Sequence, residues 1–207
     1  MQDIITLLNY FTFYMQTFIE SGLRSELLES IEKIGFVMLT PIQAQTIPFI
    51  LNSDNDLVAM AQTGTGKTAA FGLPVLHKMD QSTRGIQAII LCPTRELCLQ
   101  ITSDLKSFAT GLPYSIVPVY GGAPIFSQIA AIQRRCDIVV GTPGRVNDMI
   151  RRNKLDLSSI RFLVLDEADE MLKMGFNEDM DAIMAETPEE KQTLLFSATM
   201  PPDIARM

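Results

Sequence analysis

Six short hydrophobic runs recur along the chain, with amphipathic stretches between them. Most of these runs are continuous, such as Ile-Val-Val and Phe-Leu-Val-Leu, and do not alternate with polar residues. Continuous runs of this kind are typical of strands that are buried on both faces of a sheet. The pattern therefore predicts six strands, at 56–60, 87–92, 115–120, 137–140, 162–165 and 192–196.

The stretches between the runs carry the spacing of helices. Segments 95–109 and 169–185, for example, have hydrophobic residues three and four positions apart, which predicts helices with one buried face. Alternating strands and helices favour an α/β fold, in which a mostly parallel sheet is sandwiched by helices through right-handed crossovers.

Polar and glycine-containing segments follow all six predicted strands. In a parallel sheet the carboxyl ends of the strands share one edge, and ligands bind beyond that edge. We therefore expect one composite site there, built from segments 61–68, 93–95, 121–122, 141–145, 166–169 and 197–199.

The segment after the first strand has the pattern of a phosphate-binding loop (P-loop). Its backbone N–H groups and the following helix would face the phosphates of ATP, Lys67 would reach the outer ones, and Thr68 would bind Mg²⁺. Ala61 stands where the general pattern has its first glycine, but Gly64 and Gly66 still allow close backbone approach. The predicted nucleotide-binding residues are Ala61, Gln62, Thr63, Gly64, Thr65, Gly66, Lys67 and Thr68.

An acidic pair, Asp166 and Glu167, follows the fifth strand. With a P-loop in the chain, Asp166 is the expected carboxylate partner of Thr68 at Mg²⁺, and Glu167 could orient or deprotonate the attacking water. Lys67, Asp166 and Glu167 are therefore the predicted catalytic residues. Taken alone, the pair could instead cap a helix and interact with its dipole.

The charge of the chain gives only weak information about its partners. The net charge of −7 argues mildly against a nucleic-acid partner. Its distribution is uneven, because 134–161 holds seven basic and three acidic residues, whereas 166–190 holds ten acidic residues and one lysine. The basic stretch is where a polyanion could touch, although a solvated surface explains both stretches equally well.

The first 17 residues form a hydrophobic extension without the basic start and cleavage site of a secretory signal. Thr, Asn and Gln interrupt it, and it is shorter than the ~20 residues of a membrane span. The sequence therefore predicts a docking helix or an added segment, no membrane partner and a cytoplasmic location.

Several further motifs resemble one family in their residues and their order. Together with the P-loop they resemble the N-terminal RecA-like domain of a DEAD-box ATP-dependent RNA helicase, with residues 18–207 as that domain. The motifs are 35–43 (which has Leu39 where the family usually has proline), Pro93-Thr94-Arg95-Glu96-Leu97, Gly121-Gly122, Thr142-Pro143-Gly144-Arg145, Asp166-Glu167-Ala168-Asp169 and Ser197-Ala198-Thr199.

The resemblance implies a RecA-like P-loop NTPase fold and adds roles at the site. Thr40 and Gln43 would belong to an adenine-reading motif, and Phe18 would stack on the base. Asp169, Ser197 and Thr199 would couple the nucleotide site to RNA. Sequence-tolerant contacts to the RNA sugar–phosphate backbone would come from Pro93, Thr94, Arg95, Gly121, Gly122, Thr142, Gly144 and Arg145.

Helicases of this family carry a second RecA-like domain, with an arginine that completes the ATP site. The sequence given ends at Met207, and such an arginine is worth ~10³–10⁵ in rate in related enzymes. We therefore expect that second domain as a partner and only weak activity from the isolated chain.

Two other functions remain open from sequence. A non-catalytic RNA- or protein-binding module is disfavoured by the intact Lys67 and Glu167. A DNA-directed superfamily 2 helicase domain is disfavoured because the Gln43 motif and the Asp-Glu-Ala-Asp tetrad resemble the RNA-directed family.

Overall fold

The computed structural model describes residues 17–200, so all but Thr17 of the extension predicted at 1–17 lies outside the described part. Thr17 forms an antiparallel bridge with Met38, and a 3₁₀ turn follows at Phe18–Ser21. The remaining elements, in chain order, are α1 (Ser25–Lys33), α2 (Pro41–Asn52), β1 (Leu57–Met60), α3 (Lys67–Lys78), β2 (Ala88–Leu91), α4 (Arg95–Phe108), β3 (Ile116–Val119), α5 (Ile125–Arg134), β4 (Ile138–Gly141), α6 (Pro143–Arg151), β5 (Phe162–Asp166), α7 (Ala168–Lys173), α8 (Asn177–Ala185) and β6 (Gln192–Ser197).

All six predicted strands are present, and they form one parallel sheet. The strand order is β1-β6-β5-β2-β4-β3, and every neighbouring pair is parallel. This arrangement confirms the predicted parallel α/β fold.

Helices cover both faces of the sheet, because alternate residues of the same strand enter different cores. Ile90 and Val164 belong to the core beneath α1–α4. Ile89 and Leu163 belong to the core beneath α5–α8. Burial on both faces explains why the strands read as continuous hydrophobic runs.

The helix predicted over 169–185 is wrong as a single element. The structure breaks it into α7 and α8 at Gly175, which has φ +81°. The Gly175 N–H bonds to the Leu172 carbonyl at 2.9 Å. A left-handed glycine that bonds back to the last turn is a common helix terminator, and hydrophobic spacing alone does not reveal it.

Candidate functional site

The P-loop spans residues 61–66, between β1 and α3. Gly64 and Gly66 have φ of +82° and +90°, the left-handed region that favours glycine. The Ala61 N–H bonds to the Ser197 carbonyl at 2.9 Å, and the Thr65 hydroxyl donates to the Gln62 carbonyl at 2.7 Å. The start of the loop is therefore tied to the end of β6.

Gln43 holds the end of the P-loop. Its Nε2 donates to the Gly66 carbonyl at 3.1 Å, and its Oε1 accepts the Thr40 N–H at 2.9 Å. The side chain is buried, and a Cβ at Gly66 would collide with its amide. Reading adenine would therefore require the second Nε2 hydrogen or release from these contacts, and that role stays a prediction.

Lys67, Asp166 and Glu167 meet beneath the P-loop. Lys67 Nζ lies 3.1 Å from Asp166 Oδ1 and 3.8 Å from Glu167 Oε1, and both Lys67 and Asp166 are buried. Glu167 Oε1 also accepts the Thr63 hydroxyl at 2.9 Å. Three predicted residues from distant parts of the sequence thus form one charged cluster.

Glu167 has a strained backbone. Its φ of +55° places it in the left-handed region at the start of α7, which residues other than glycine rarely adopt. Such strain persists where the surrounding structure enforces it, and it concentrates at functional sites. Here the turn brings the Glu167 carboxylate back to Thr63 and Lys67.

Asp166 has the properties of a cation ligand. Burial raises the pKa of this carboxyl above its usual value, although the Lys67 ammonium lowers it. Asp166 Oδ1 is buried, and the Lys67 ammonium 3.1 Å away pairs with it by charge.

These residues fit a Mg²⁺ ion that is held mostly by phosphates and water. Thr68, on the first turn of α3, is the second candidate ligand. Among the described residues, His, Cys, Asp and Glu form no cluster of three that could hold a metal. Sites with one or two protein ligands are usual for Mg²⁺ in enzymes that act on nucleotide phosphates.

Phe18 does not offer an open ring for a base. Its side chain is 3% exposed, and the ring stacks on Phe36 with centroids 5.8 Å apart. A base could reach it only after Phe36 or its neighbours move, so the stacking prediction remains without support from this arrangement.

Asp169, Ser197 and Thr199 form a connected group. The Thr199 hydroxyl and N–H donate to Asp169 Oδ2 at 2.8 and 3.1 Å, and the Ser197 hydroxyl donates to the Thr199 carbonyl at 2.6 Å. Burial opposes ionisation of Asp169, but hydrogen bonds, foremost from Thr199, outweigh it and hold its pKa below the usual value. The contact between Asp169 and Thr199 is present, and its coupling role stays a prediction.

The predicted RNA-contacting residues lie at the carboxyl ends of β2, β3 and β4, and they differ in accessibility. Arg95, Gly121 and Gly122 are exposed, whereas Thr94, Gly144 and Arg145 are half-buried. Pro93 and Thr142 are buried, and their role as direct RNA contacts stays a prediction. Pro93 leads into α4, and Thr142 precedes the first turn of α6.

Two residues that sequence reasoning missed fix the arginines. The Arg95 guanidinium lies over the Tyr120 ring, 4.9 Å from its centroid. Arg145 Nη1 donates to the Ala123 carbonyl at 3.1 Å. In the sequence, Tyr120 is only the last residue of a predicted hydrophobic strand. The Ala123 contact is made by a backbone carbonyl, which every residue has, so the sequence does not indicate it.

The structure divides the basic stretch at 134–161 between the two ends of the sheet. Arg145 lies at the carboxyl end with Ala123. Arg134, Arg135 and Lys154 instead line a cleft formed by the loops that precede β2, β4 and β5. Only part of the basic stretch can therefore face a polyanion at the nucleotide edge.

No helix within residues 17–200 is long and hydrophobic enough to cross a membrane.

Comparison with known proteins identifies relatives across most of the chain. The family model described as DEAD/DEAH box helicase matches residues 40–207. The chain is 51% identical to the DEAD-box ATP-dependent RNA helicase CshA of Bacillus cereus, over 93% of this chain and 37% of that protein. It is 50% identical to the ATP-dependent RNA helicase CshA of Listeria monocytogenes, again over 93% of this chain and 37% of the relative. The chain thus spans little more than a third of the length of these relatives.

Solved structures share the fold. A DEAD box protein from the hyperthermophile Methanococcus jannaschii superimposes with a TM-score of 0.89 at 44% identity, covering 93% of this chain and 52% of the other. A hypothetical ATP-dependent RNA helicase from Sulfolobus tokodaii gives a TM-score of 0.82 at 38% identity, covering 89% of this chain and 53% of the other.

Proposed function

The chain belongs to the DEAD/DEAH box helicase family, and we propose that it is the ATP-binding, Mg²⁺-dependent half of an RNA-dependent ATPase that locally separates short RNA duplexes. The observation that carries the proposal is the cluster of Lys67, Asp166 and Glu167 beneath the P-loop. Family membership supplies the reaction class, and the cluster supplies the groups for it.

ATP binding would use groups that now bond to one another. The P-loop N–H groups and the start of α3 favour phosphate oxygens. Lys67 balances both carboxylates in the present arrangement, so it must move from Asp166 towards the phosphates when nucleotide binds. Breaking this buried ion pair opposes binding, and the phosphate contacts compensate.

Hydrolysis would depend on the two carboxylates in different ways. Asp166, whose Oδ1 now pairs with Lys67, and Thr68 would hold Mg²⁺. Mg²⁺ held there would supply positive charge that stabilises the negative charge on the phosphates. Glu167 would orient the attacking water or accept its proton, once the Thr63 hydroxyl and Lys67 release its carboxylate.

RNA would bind at the same edge of the sheet, through Arg95, Arg145 and the backbone at Gly122. These groups recognise phosphates, so binding should tolerate any sequence and weaken as salt rises. We further propose that a second RecA-like domain supplies the remaining ATP and RNA contacts, and that the 207 residues alone turn ATP over slowly. The large share of each curated relative that lies outside the match supports this division.

The test is titration of the chain with fluorescent ADP and GDP, with and without Mg²⁺. We expect preference for ADP, loss of that preference in Gln43→Ala, weaker binding of both nucleotides in Lys67→Ala, and loss of the Mg²⁺ effect in Asp166→Asn. Gln45→Ala is the matched control, because Gln45 lies on the same helix and is exposed.

The observed bond of Gln43 to Gly66 and its predicted contact with adenine can be separated by this titration. If the residue also reads adenine, Gln43→Ala weakens binding of ADP more than binding of GDP, because the bond to Gly66 is lost in either case. If it only holds Gly66, both nucleotides weaken together. Equal affinity of the wild-type chain for ADP and GDP, or no binding of either, would refute the nucleotide part of the proposal.

A further inference from the structure

Phe126 is an exposed aromatic side chain that the fold does not use. It is 82% exposed, whereas Ile125, Ile129 and Ile132 on the same helix pack against the core. A single exposed hydrophobic residue is common on protein surfaces. The surroundings of Phe126 therefore matter more than its exposure.

Phe126 follows closely in sequence after Tyr120 and Ala123, which the two arginines of the proposed RNA edge contact. It is on the first turn of α5, which starts directly after the loop 121–124 at the carboxyl end of β3. Arg145 donates to the Ala123 carbonyl in this loop, and Arg95 lies over Tyr120 just before it. Two cations from separate helices thus flank the segment that presents the ring.

The start of α5 is held rigidly. The Gln128 side chain bonds to both the N–H and the carbonyl of Tyr120, each at 3.1 Å. The Ser127 hydroxyl donates to the Pro124 carbonyl at 2.8 Å. A backbone that is already ordered loses less conformational entropy when a ligand covers it.

We propose that Phe126 stacks on a base of the single-stranded RNA whose phosphates contact Arg95 and Arg145. This assignment rests on the proposed function and adds a base contact to a surface that otherwise recognises only the backbone. Stacking on an aromatic ring tolerates every base, since each base has a π-face. The neighbouring arginines favour a polyanionic ligand over a protein partner for the same ring.

The chain contains no tryptophan, so Phe126→Trp introduces a single fluorescent reporter at the proposed contact. We expect its emission to be quenched by a short oligouridine or oligoadenine, and to stay unchanged with an abasic oligonucleotide of the same length. Ile19→Trp is the matched control, because Ile19 is 80% exposed and belongs to the turn that packs beside α2, outside the segment 120–126. Its emission should not respond to either ligand.

Affinity measurements separate stacking from charge. Phe126→Ala should weaken binding of base-containing RNA by about 5-fold or more, which is the lower end of the effect of stacking one base on an aromatic ring. It should leave abasic affinity and the salt dependence unchanged, because no phosphate contact is lost. Arg145→Ala should weaken binding of both oligonucleotides. It should also reduce the slope of log affinity against log salt concentration by about one.

Three results would overturn the assignment. Wild-type affinity in Phe126→Ala, together with unchanged Phe126→Trp emission at saturating RNA, would refute it and leave the proposed function intact. Loss of self-association in Phe126→Ala, with RNA binding unaffected, would assign the ring to a protein contact. If the wild-type chain binds neither oligonucleotide at low salt, the RNA part of the proposed function fails, and the base contact fails with it.

Discussion

Gly66 provides the sharpest test of the contact between α2 and the P-loop. Gly64 and Gly66 both have positive φ, at +82° and +90°. They differ in what surrounds them, since a Cβ at Gly64 would meet nothing within 4 Å, whereas a Cβ at Gly66 would collide with the Gln43 amide. Gly64→Ala is therefore a matched control for Gly66→Ala.

The loss in free energy of unfolding that each substitution should cause follows from the surroundings of the two glycines. A left-handed conformation costs an alanine about 1–2 kcal/mol in either position. At Gly66 the added methyl also displaces Gln43 and breaks its bond to the Gly66 carbonyl, which is worth about 0.5–1.5 kcal/mol. Gly66→Ala should therefore lower the free energy of unfolding by about 1 kcal/mol more than Gly64→Ala.

Urea unfolding followed by circular dichroism measures both costs, and a double-mutant cycle identifies their source. Gln43→Ala removes the group that the new methyl would hit, so it should reduce the extra cost of Gly66→Ala while leaving that of Gly64→Ala unchanged. Equal costs for the two glycines, or strict additivity of Gly66→Ala with Gln43→Ala, would refute the reasoning.

Three further predictions concern stability, each measured by urea unfolding. Phe71→Ala removes a fully buried ring whose centroid is 5.4 Å from that of Phe196 and should cost about 3–5 kcal/mol; a loss under about 1 kcal/mol would contradict the packing. Thr199→Val removes a hydroxyl that bonds to Asp169 and should cost about 1–2 kcal/mol at neutral pH. Because the pKa of Asp169 is lowered in the folded chain, its contribution exists above the pKa of an unfolded aspartate and is lost as the pH falls through the folded value. Wild type and Thr199→Val should therefore converge in acid, and an equal difference at both pH values would contradict this. Gly175→Ala should cost about 1–2 kcal/mol for its positive φ, and Gly175→Asn should cost less, because asparagine tolerates that region; the reverse order would contradict the conformational explanation.

The sequence determined the architecture and located the candidate site. Hydrophobic runs located every strand of the described sheet, because burial on both faces requires uninterrupted hydrophobic residues. The glycine spacing before Lys67 and the acidic pair at Asp166 predicted a nucleotide site, since few other structures need those residue types in that order. The parallel sheet then placed both groups at one edge without further information.

Tertiary structure decided which groups are free to act. Distances between positions far apart in sequence brought Thr63 to Glu167, Gln43 to Gly66 and Thr199 to Asp169. Burial separated residues that the motifs treat alike, so that Arg95 is exposed and Pro93 is not. A motif records residue type and spacing, whereas accessibility and pairing depend on packing between elements. For this reason only the folded chain shows that Lys67 lies close to two carboxylates and that the Phe126 side chain is exposed to solvent.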